Sequence, residues 1–469
     1  MDRRRVVGFA CLIAIYFAIQ WGIPRPISVT PAGWRLFGIF AATIGGLIIQ
    51  PIAGGALVLM AVALASILGG LSIEEALKGY ADPSVWLVLA AFFIARALIK
   101  TGLARRIALF FVRMFGKSSL GVAYSLSLSD WVLGAAIPSN GARSGGVILP
   151  IVRSIAELYG SRAGPTAALL GTFLTTAVYQ NVCVTSAMFL TGQASNPLAA
   201  GIALKQFHYT MTWASWLAAG IVPGLCSLAV IPLLVYKLSP PEIRKTPEAS
   251  EFARREMEAL GKMRWQEWVT LLVFAGVCAL WITSRQTGLE IGVTALLGSC
   301  VLLLADVIDW EDVKNETAAW DIFIWYGGLL RLGKALGEAG VTTAFAQEVG
   351  SHFTGAGWVA LFIAALLIYF YAHYGFASIT AHLLAMFSPF AAVLVAKGAP
   401  VGLIMYSFAI FANLAAGLTH YGTTPSPMFY ATDYVPFRKW WTIGACASVV
   451  NLLIWSTVGF AWWKFLGIW

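Results

Sequence analysis

The sequence predicts an all-α polytopic membrane protein of about eleven transmembrane helices plus two re-entrant helical hairpins, built as two inverted-topology repeats. Three observations carry this: an oily composition, apolar runs along the whole chain, and short motifs that recur at a nearly constant distance. Hydrophobic residues make up 59% of the chain and charged residues only 11%, against about 25% charged in an average soluble domain.

Runs of spanning length fall at 6–24, 36–52, 55–71, 84–99, 163–195, 209–237, 267–284, 290–308, 318–337, 401–432 and 438–465. A crossing takes roughly 20 apolar residues, so a soluble protein with one anchor is excluded. The opening "MDRRR" precedes an apolar run with no small-x-small cleavage site before Trp21, so it reads as a retained first helix with a cytoplasmic N-terminus. The net charge of +9 does not indicate a nucleic-acid partner, because the cations gather in loops on one side, as the positive-inside rule expects. All six cysteines (Cys11, Cys183, Cys226, Cys278, Cys300 and Cys446) lie in apolar segments without CxxC or Cys/His spacing. They read as small core residues, and neither metal nor cofactor is expected.

The stretch Tyr236–Trp268 breaks the apolar pattern. It carries Lys237, Arg244, Lys245, Arg254, Arg255, Lys262 and Arg264, which puts it on the cytoplasmic side. Within it "PEASEFARREMEALGKM" predicts a short amphipathic surface helix. On either side of this linker the chain repeats itself. "RALIKTG" at Arg96 recurs as "KALGEAG" at Lys334, "SNGAR" at Ser139 as "SITAH" at Ser378, and "SAMF" at Ser186 as "SPMF" at Ser426. The offsets are 238, 239 and 240 residues, in the same order, which indicates an internal repeat.

Charge then orients the halves. From Ala97 to Glu157 the first carries Lys100, Arg105, Arg106, Arg113, Lys117, Arg143 and Arg153, whereas Ala335 to Ala396 contains no Lys or Arg. Equivalent loops of opposite bias belong on opposite faces of the membrane. Inverted repeats are typical of secondary transporters that bind substrate near the midplane. Residues 119–157 and 356–396 are too short for two crossings plus a turn, so each is expected to be a re-entrant hairpin with its tip at the polar "PSNG" or "FASIT".

At the tips, Ser139 and Asn140 in one half and Ser378 and Thr380 in the other offer uncharged donors. Helices starting there add free N–H groups and positive dipole ends, a setting suited to carboxylates. The alternative is that these residues only cap helices. Four residues after each Ser stands a base, Arg143 and His382, one turn on along the same face. Intramembrane ionisable groups usually mark a pathway or site, although an Arg can also snorkel to the interface. "YQNVCVTSAMFLT" and "LTHYGTTPSPMFYAT" load long apolar runs with Asn181, Thr185 and Ser186, and with His420, Tyr421, Gly422, Thr423, Thr424 and Pro425. These read as unwound spanning helices that expose backbone to a substrate, with ligand-free kinks as the alternative.

"PSNGARSGG", "SAMFLTGQASNPLA", "HYGFASITAH" and "HYGTTPSPMFY" together resemble the signatures of the divalent anion:sodium symporter family. Within it they are most similar to the branch of 2-oxoglutarate/malate translocators and citrate–succinate exchangers. The resemblance implies a homodimeric elevator in a bacterial inner membrane, with a scaffold and a moving transport part, carrying di- or tricarboxylates. Its Ser-Asn-Thr motifs fall on Ser139, Asn140, Gly141 and on Ser378, Ile379, Thr380, so Gly141 and Ile379 depart from the pattern. The division this implies is an N-terminal helix and loop at 1–35, a first repeat at 36–237, a cytoplasmic linker at 238–266 and a second repeat at 267–469. The first repeat divides into scaffold helices 36–117, hairpin 119–157 and transport helices 163–237. The second divides into scaffold helices 267–355, hairpin 356–396 and transport helices 401–465.

Arg143 and His382 are expected to stand as fixed cations near where sodium binds in coupled members. A bound dianion would offset an otherwise uncompensated Arg143, which points to sodium-independent exchange. The alternatives are a sodium-coupled dicarboxylate symporter and, more remotely, an intramembrane serine hydrolase using Ser144 with His373, His382 or His420.

Overall fold

Helix starts follow local chemistry. Thr30 and Asp82 cap Pro31–Ile49 and Pro83–Lys100, each with proline in the first turn, where its missing N–H costs nothing. Ser118 caps Ser119–Gly134, and Thr212 forms a capping box with Ser215 at the start of Trp213–Leu238. The computed structural model describes residues 3–352 and 357–469; the first residue of the hairpin expected at 356–396 lies outside them. The described residues are helical, without strands, and contain eight helices long and apolar enough to cross a membrane. Three shorter apolar helices accompany them: Gly54–Ile67, Ile291–Leu304 and Val401–Ala415.

Two expected spans are broken. The run at 163–195 becomes Gly171–Met188, a non-helical stretch at 189–194, and then Ser195–Phe207. The run at 401–432 becomes Val401–Ala415, a stretch at 416–424, and Pro425–Tyr430. Asn181, Thr185 and Ser186 lie inside the intact helix, so the first unwinding begins later than the sequence suggests. Their side chains find partners without disturbing the backbone: Asn181 donates to Ser127 (2.6 Å), Thr185 to Asp130, and Ser186 to the Val182 carbonyl one turn back (2.7 Å).

The first hairpin is rooted at the linker, and the second is not. The linker helix is Pro247–Ala259. At its end of the molecule Ser119 N–H donates to the Arg244 carbonyl (3.1 Å) and Arg106 pairs with Glu267 (2.7 Å). The base of the first hairpin, Ser119–Gly134 with 141–158, is therefore anchored to the linker. The Tyr159 hydroxyl adds a hydrogen bond to Glu248 (2.5 Å), which holds that carboxyl below its usual range. The outgoing arm of the second hairpin, Ile379–Ala396, instead brings Leu384 and Ser388 beside Lys205 and Lys334.

One sequence argument needs correction. Trp358–Gly375 and Ile379–Ala396 are each 18 residues long and apolar enough to cross, so shortness alone does not make the second hairpin re-entrant. What distinguishes the hairpins is that their tips meet, as described below.

Close backbone approach holds the non-hairpin helices together. A Cβ on Gly79 would lie 1.9 Å from the Gly327 carbonyl oxygen, whereas one on Gly276 would meet nothing within 4 Å. Gly79→Ala is therefore expected to lower the thermal unfolding midpoint in detergent, at a cost of about 1–3 kcal/mol for overpacking. Gly276→Ala should leave the midpoint unchanged.

Candidate functional site where two hairpin tips meet a broken helix

The tips converge on one short segment. Asn140 Nδ2 of the first tip donates to Thr423 Oγ1 (2.9 Å), and His373 Nε2 of the second lies 2.9 Å from the Gly422 carbonyl. A Cβ on Gly141 would stand 2.7 Å from Thr424 Cγ2, so the absence of a side chain at 141 lets the two loops touch. Hairpins that start from opposite ends and meet at residues 422–424 each stop part-way through the molecule.

Each tip serine caps its helix. Ser139 Oγ accepts from Ala142 N–H (3.1 Å) and Ser378 Oγ from Ala381 N–H (3.4 Å). That bond uses an acceptor lone pair and leaves the hydroxyl hydrogen available for a carboxylate. Capping and anion binding are thus compatible. Ile379 is buried, while Thr380 is half-exposed.

Arg143 is fully buried, but it is not the uncompensated cation that the sequence suggested. Its Nε bonds Asp130 (2.7 Å), Nη1 donates to the carbonyls of Ile137 (3.0 Å) and Gly192 (2.9 Å), and Nη2 donates to Ser186 (3.2 Å). Asp130, itself 1% exposed, also accepts from Thr185. A buried pair survives desolvation only when its other hydrogen-bonding positions find partners, and here four of the five N–H groups of Arg143 do. Sequence reasoning missed Asp130, although it is the single acid between Asp82 and Glu157, and an intramembrane Arg calls for such a partner.

His382 occupies the matching place in the second half. Its Nε2 lies 2.8 Å from the Tyr369 carbonyl. Like Arg143 to Asp130, it reaches back 13 residues, and Tyr369 is the repeat mate of Asp130. His373, the mate of Gly134, was not selected as a site residue either. A side chain on Gly134 would face Arg143 Cζ at 3.6 Å, just as His373 faces His382 with ring centroids 5.0 Å apart.

The two breaks are unequal in access. Residues 189–194 are all buried, and Asn196 donates to the carbonyls of Ser186 and Phe189 (both 2.8 Å). At the second break Tyr179 donates to the Ala416 carbonyl (2.8 Å) and Gln180 to that of Gly417 (2.8 Å). Pro425 and Ser426 are buried, whereas Thr424, Gly146, Gly375 and Ala377 are exposed. The accessible edge therefore combines the second break with both tips, and Thr185 and Ser186 lie behind it. A separate cavity of about 450 Å³ lies between Ser195–Phe207 and the start of Pro83–Lys100, lined by Asp82, Ser84, Lys205 and Arg285. It contains none of the expected site residues.

Comparison with known proteins follows this geometry. The family described as "Sodium:sulfate symporter transmembrane region" matches residues 3–469. The chain belongs to that family. It is 45% identical to the putative malate transporter YflS of Bacillus subtilis, over 96% of this chain and 95% of that one. It is 41% identical to the chloroplastic dicarboxylate transporter 1 of Arabidopsis thaliana, over 96% and 82%. To the inner membrane protein YbhI of Escherichia coli it is 33% identical, over 100% and 99%. In fold it is similar to the crystal structure of the YdaH transporter of Alcanivorax borkumensis, with a TM-score of 0.53 and 13% identity, over 83% of this chain and 86% of that one. Membership in a transporter family sets the hydrolase reading aside. The Ser144 hydroxyl also donates to the Asn140 carbonyl one turn back rather than to a histidine.

Removing Asp130 would leave a buried guanidinium without its counter-charge, a loss of about 3–5 kcal/mol. Asp130→Ala is expected to cut expression and thermal midpoint sharply. Adding Arg143→Met should recover much of the midpoint, because replacing both members removes the unpaired charge. Thermal unfolding of the two variants in detergent checks this.

Proposed function

We propose that this chain is a sodium-independent exchanger of di- and tricarboxylates such as succinate, malate, 2-oxoglutarate and citrate. The substrate would lie between the two tips and the second break, held by Ser139, Asn140 and Gly141, by Ser378, Ile379 and Thr380, and by residues 422–425, with Thr185 and Ser186 behind. The names of YflS and of the chloroplastic relatives support the substrate class.

The observation that carries sodium independence is the use already made of backbone carbonyls. A sodium ion at a broken helix needs free carbonyl oxygens. In the first half those of Ile137 and Gly192 accept from Arg143; in the second, those of Tyr369 and Gly422 face His382 and His373. The role we assign to Arg143 and His382 is to occupy with hydrogen bonds the carbonyls that a bound cation would use, with Asp130 balancing the charge of the first. Without a co-transported cation, a dianion moved alone would work against the membrane potential at about 4.6 kcal/mol per 100 mV. Returning with a second dianion cancels that term.

The movement we infer is an elevator within a homodimer in the bacterial inner membrane, the N-terminus cytoplasmic, the hairpins and broken helices sliding against a scaffold. The sodium-coupled symporter remains the competing reading, because coupled members share this fold.

Proteoliposomes loaded with unlabelled succinate are expected to take up labelled succinate or malate equally with and without sodium, and empty ones to take up little. Sodium-dependent uptake into empty vesicles refutes the proposal. Asn140→Ala should lower exchange about 10-fold or more, as expected for losing a hydrogen bond to a charged group. A Cβ on Gly201 would lie 3.7 Å from Ser84 Oγ, so Ser84→Cys with Gly201→Cys can form a disulfide across the supposed sliding interface. In a background without the native cysteines, oxidation should stop exchange and a reductant restore it; unchanged exchange after complete cross-linking contradicts the elevator.

A further inference from the structure

The two halves hold their buried bases in different chemical forms. In the first, Arg143 and Asp130 make a pair of fixed zero net charge. The positions that match Asp130, Gly134 and Arg143 in the second half are Tyr369, His373 and His382, a set without a carboxylate in which a proton decides the charge. Both Nε2 atoms lie on backbone carbonyls, at 2.8 Å for His382 and 2.9 Å for His373. A carbonyl only accepts, so each Nε2 carries its hydrogen and each Nδ1 is a bare lone pair. Both Nδ1 atoms and the Tyr369 hydroxyl are buried and bond nothing among the described residues. The His382 ring also touches Phe376 and Tyr369.

No Asp, Glu, Lys or Arg occurs in Trp358–Ala396 or Val401–Thr432. The helices packed around these segments contribute Arg35, Arg143, Lys205, Lys334, Glu348, Arg438, Lys439 and Lys464, and the four ring nitrogens bond to none of them. The second break adjoins the pair, since His373 is bonded to Gly422 and Thr423 follows, and it offers a place for a counter-charge.

We propose that His373 and His382 form a one-proton site that sets the charge of the second half of the pocket to match the bound acid. It rests on the reading above that this break holds a carboxylate. When an acid with an extra negative charge binds, a proton from water adds to one Nδ1 lone pair and the ring becomes an imidazolium. On release the N–H bond breaks and the proton returns to water on the other side. Acids of unequal charge are thereby exchanged without net charge movement, and the proton travels with the more highly charged one.

The test is exchange of external succinate for internal citrate in proteoliposomes, with a pH dye inside and a potential-sensitive dye in the membrane, over roughly pH 5–8. The wild-type carrier is expected to move about one proton per unlike exchange and none in succinate–succinate exchange, with no potential. In His373→Gln/His382→Gln the amides keep a donor for each carbonyl but take no proton. Whatever exchange remains should build a potential, move no proton and lose its pH dependence. Succinate–succinate exchange accompanied by unlike exchange that moves no proton in the wild type overturns this proposal alone. Proton movement that persists in the double variant overturns it too. Absence of any carboxylate exchange would instead overturn the function proposed above.

Discussion

Backbone carbonyls set free inside an apolar layer must be satisfied by the protein itself, and this requirement organises the whole centre of the molecule. Two helices are broken there, and side chains fill in where the helical ladder stops. Arg143 serves Ile137 and Gly192, Asn196 serves Ser186 and Phe189, Tyr179 and Gln180 serve Ala416 and Gly417, and His373 serves Gly422. Most of these bonds join segments far apart in sequence. The irregular backbone is therefore also what ties the hairpins to the helices behind them.

The repeat makes a difference in chemistry visible. Both halves use a basic side chain that reaches back to the preceding helix arm, from equivalent positions and over the same number of residues. In the first half it ends on a carboxylate and in the second on a peptide carbonyl. The first break is accordingly a sealed structure built around an ion pair. The second is neutral, keeps spare acceptors and has an open edge. A duplicated architecture has thus been divided into a part that holds shape and a part that meets the outside.

Much of this was legible in the sequence. Composition and apolar runs announce a helical membrane protein, and recurring motifs with opposed charge bias reveal two inverted halves. The tips were found because Ser139, Asn140 and Ser378 interrupt apolar stretches. Other features were hidden for physical reasons. Asp130 looks like one polar residue in "SLSLSDW", and its meaning emerges only when the chain folds it against Arg143. His373 stands opposite a glycine in the other repeat, so comparing the motifs hides it. The position of the first break was misjudged because Asn181, Thr185 and Ser186 spend their polarity sideways and leave their own helix intact. Polarity in an apolar run reports that a partner exists, not whether that partner is a neighbouring helix or a bound molecule.

The exposed rim at Thr424, Pro427 and Met428 has a bearing on how such carriers diversify. These side chains leave the carbonyl-bonding network to others, and Thr424 and Met428 touch the frame at Gly141 and Gly145 of the first tip. Residues 189–194, packed on every side, have no such latitude. A substitution on the rim can therefore reshape the open edge while the buried half keeps its form.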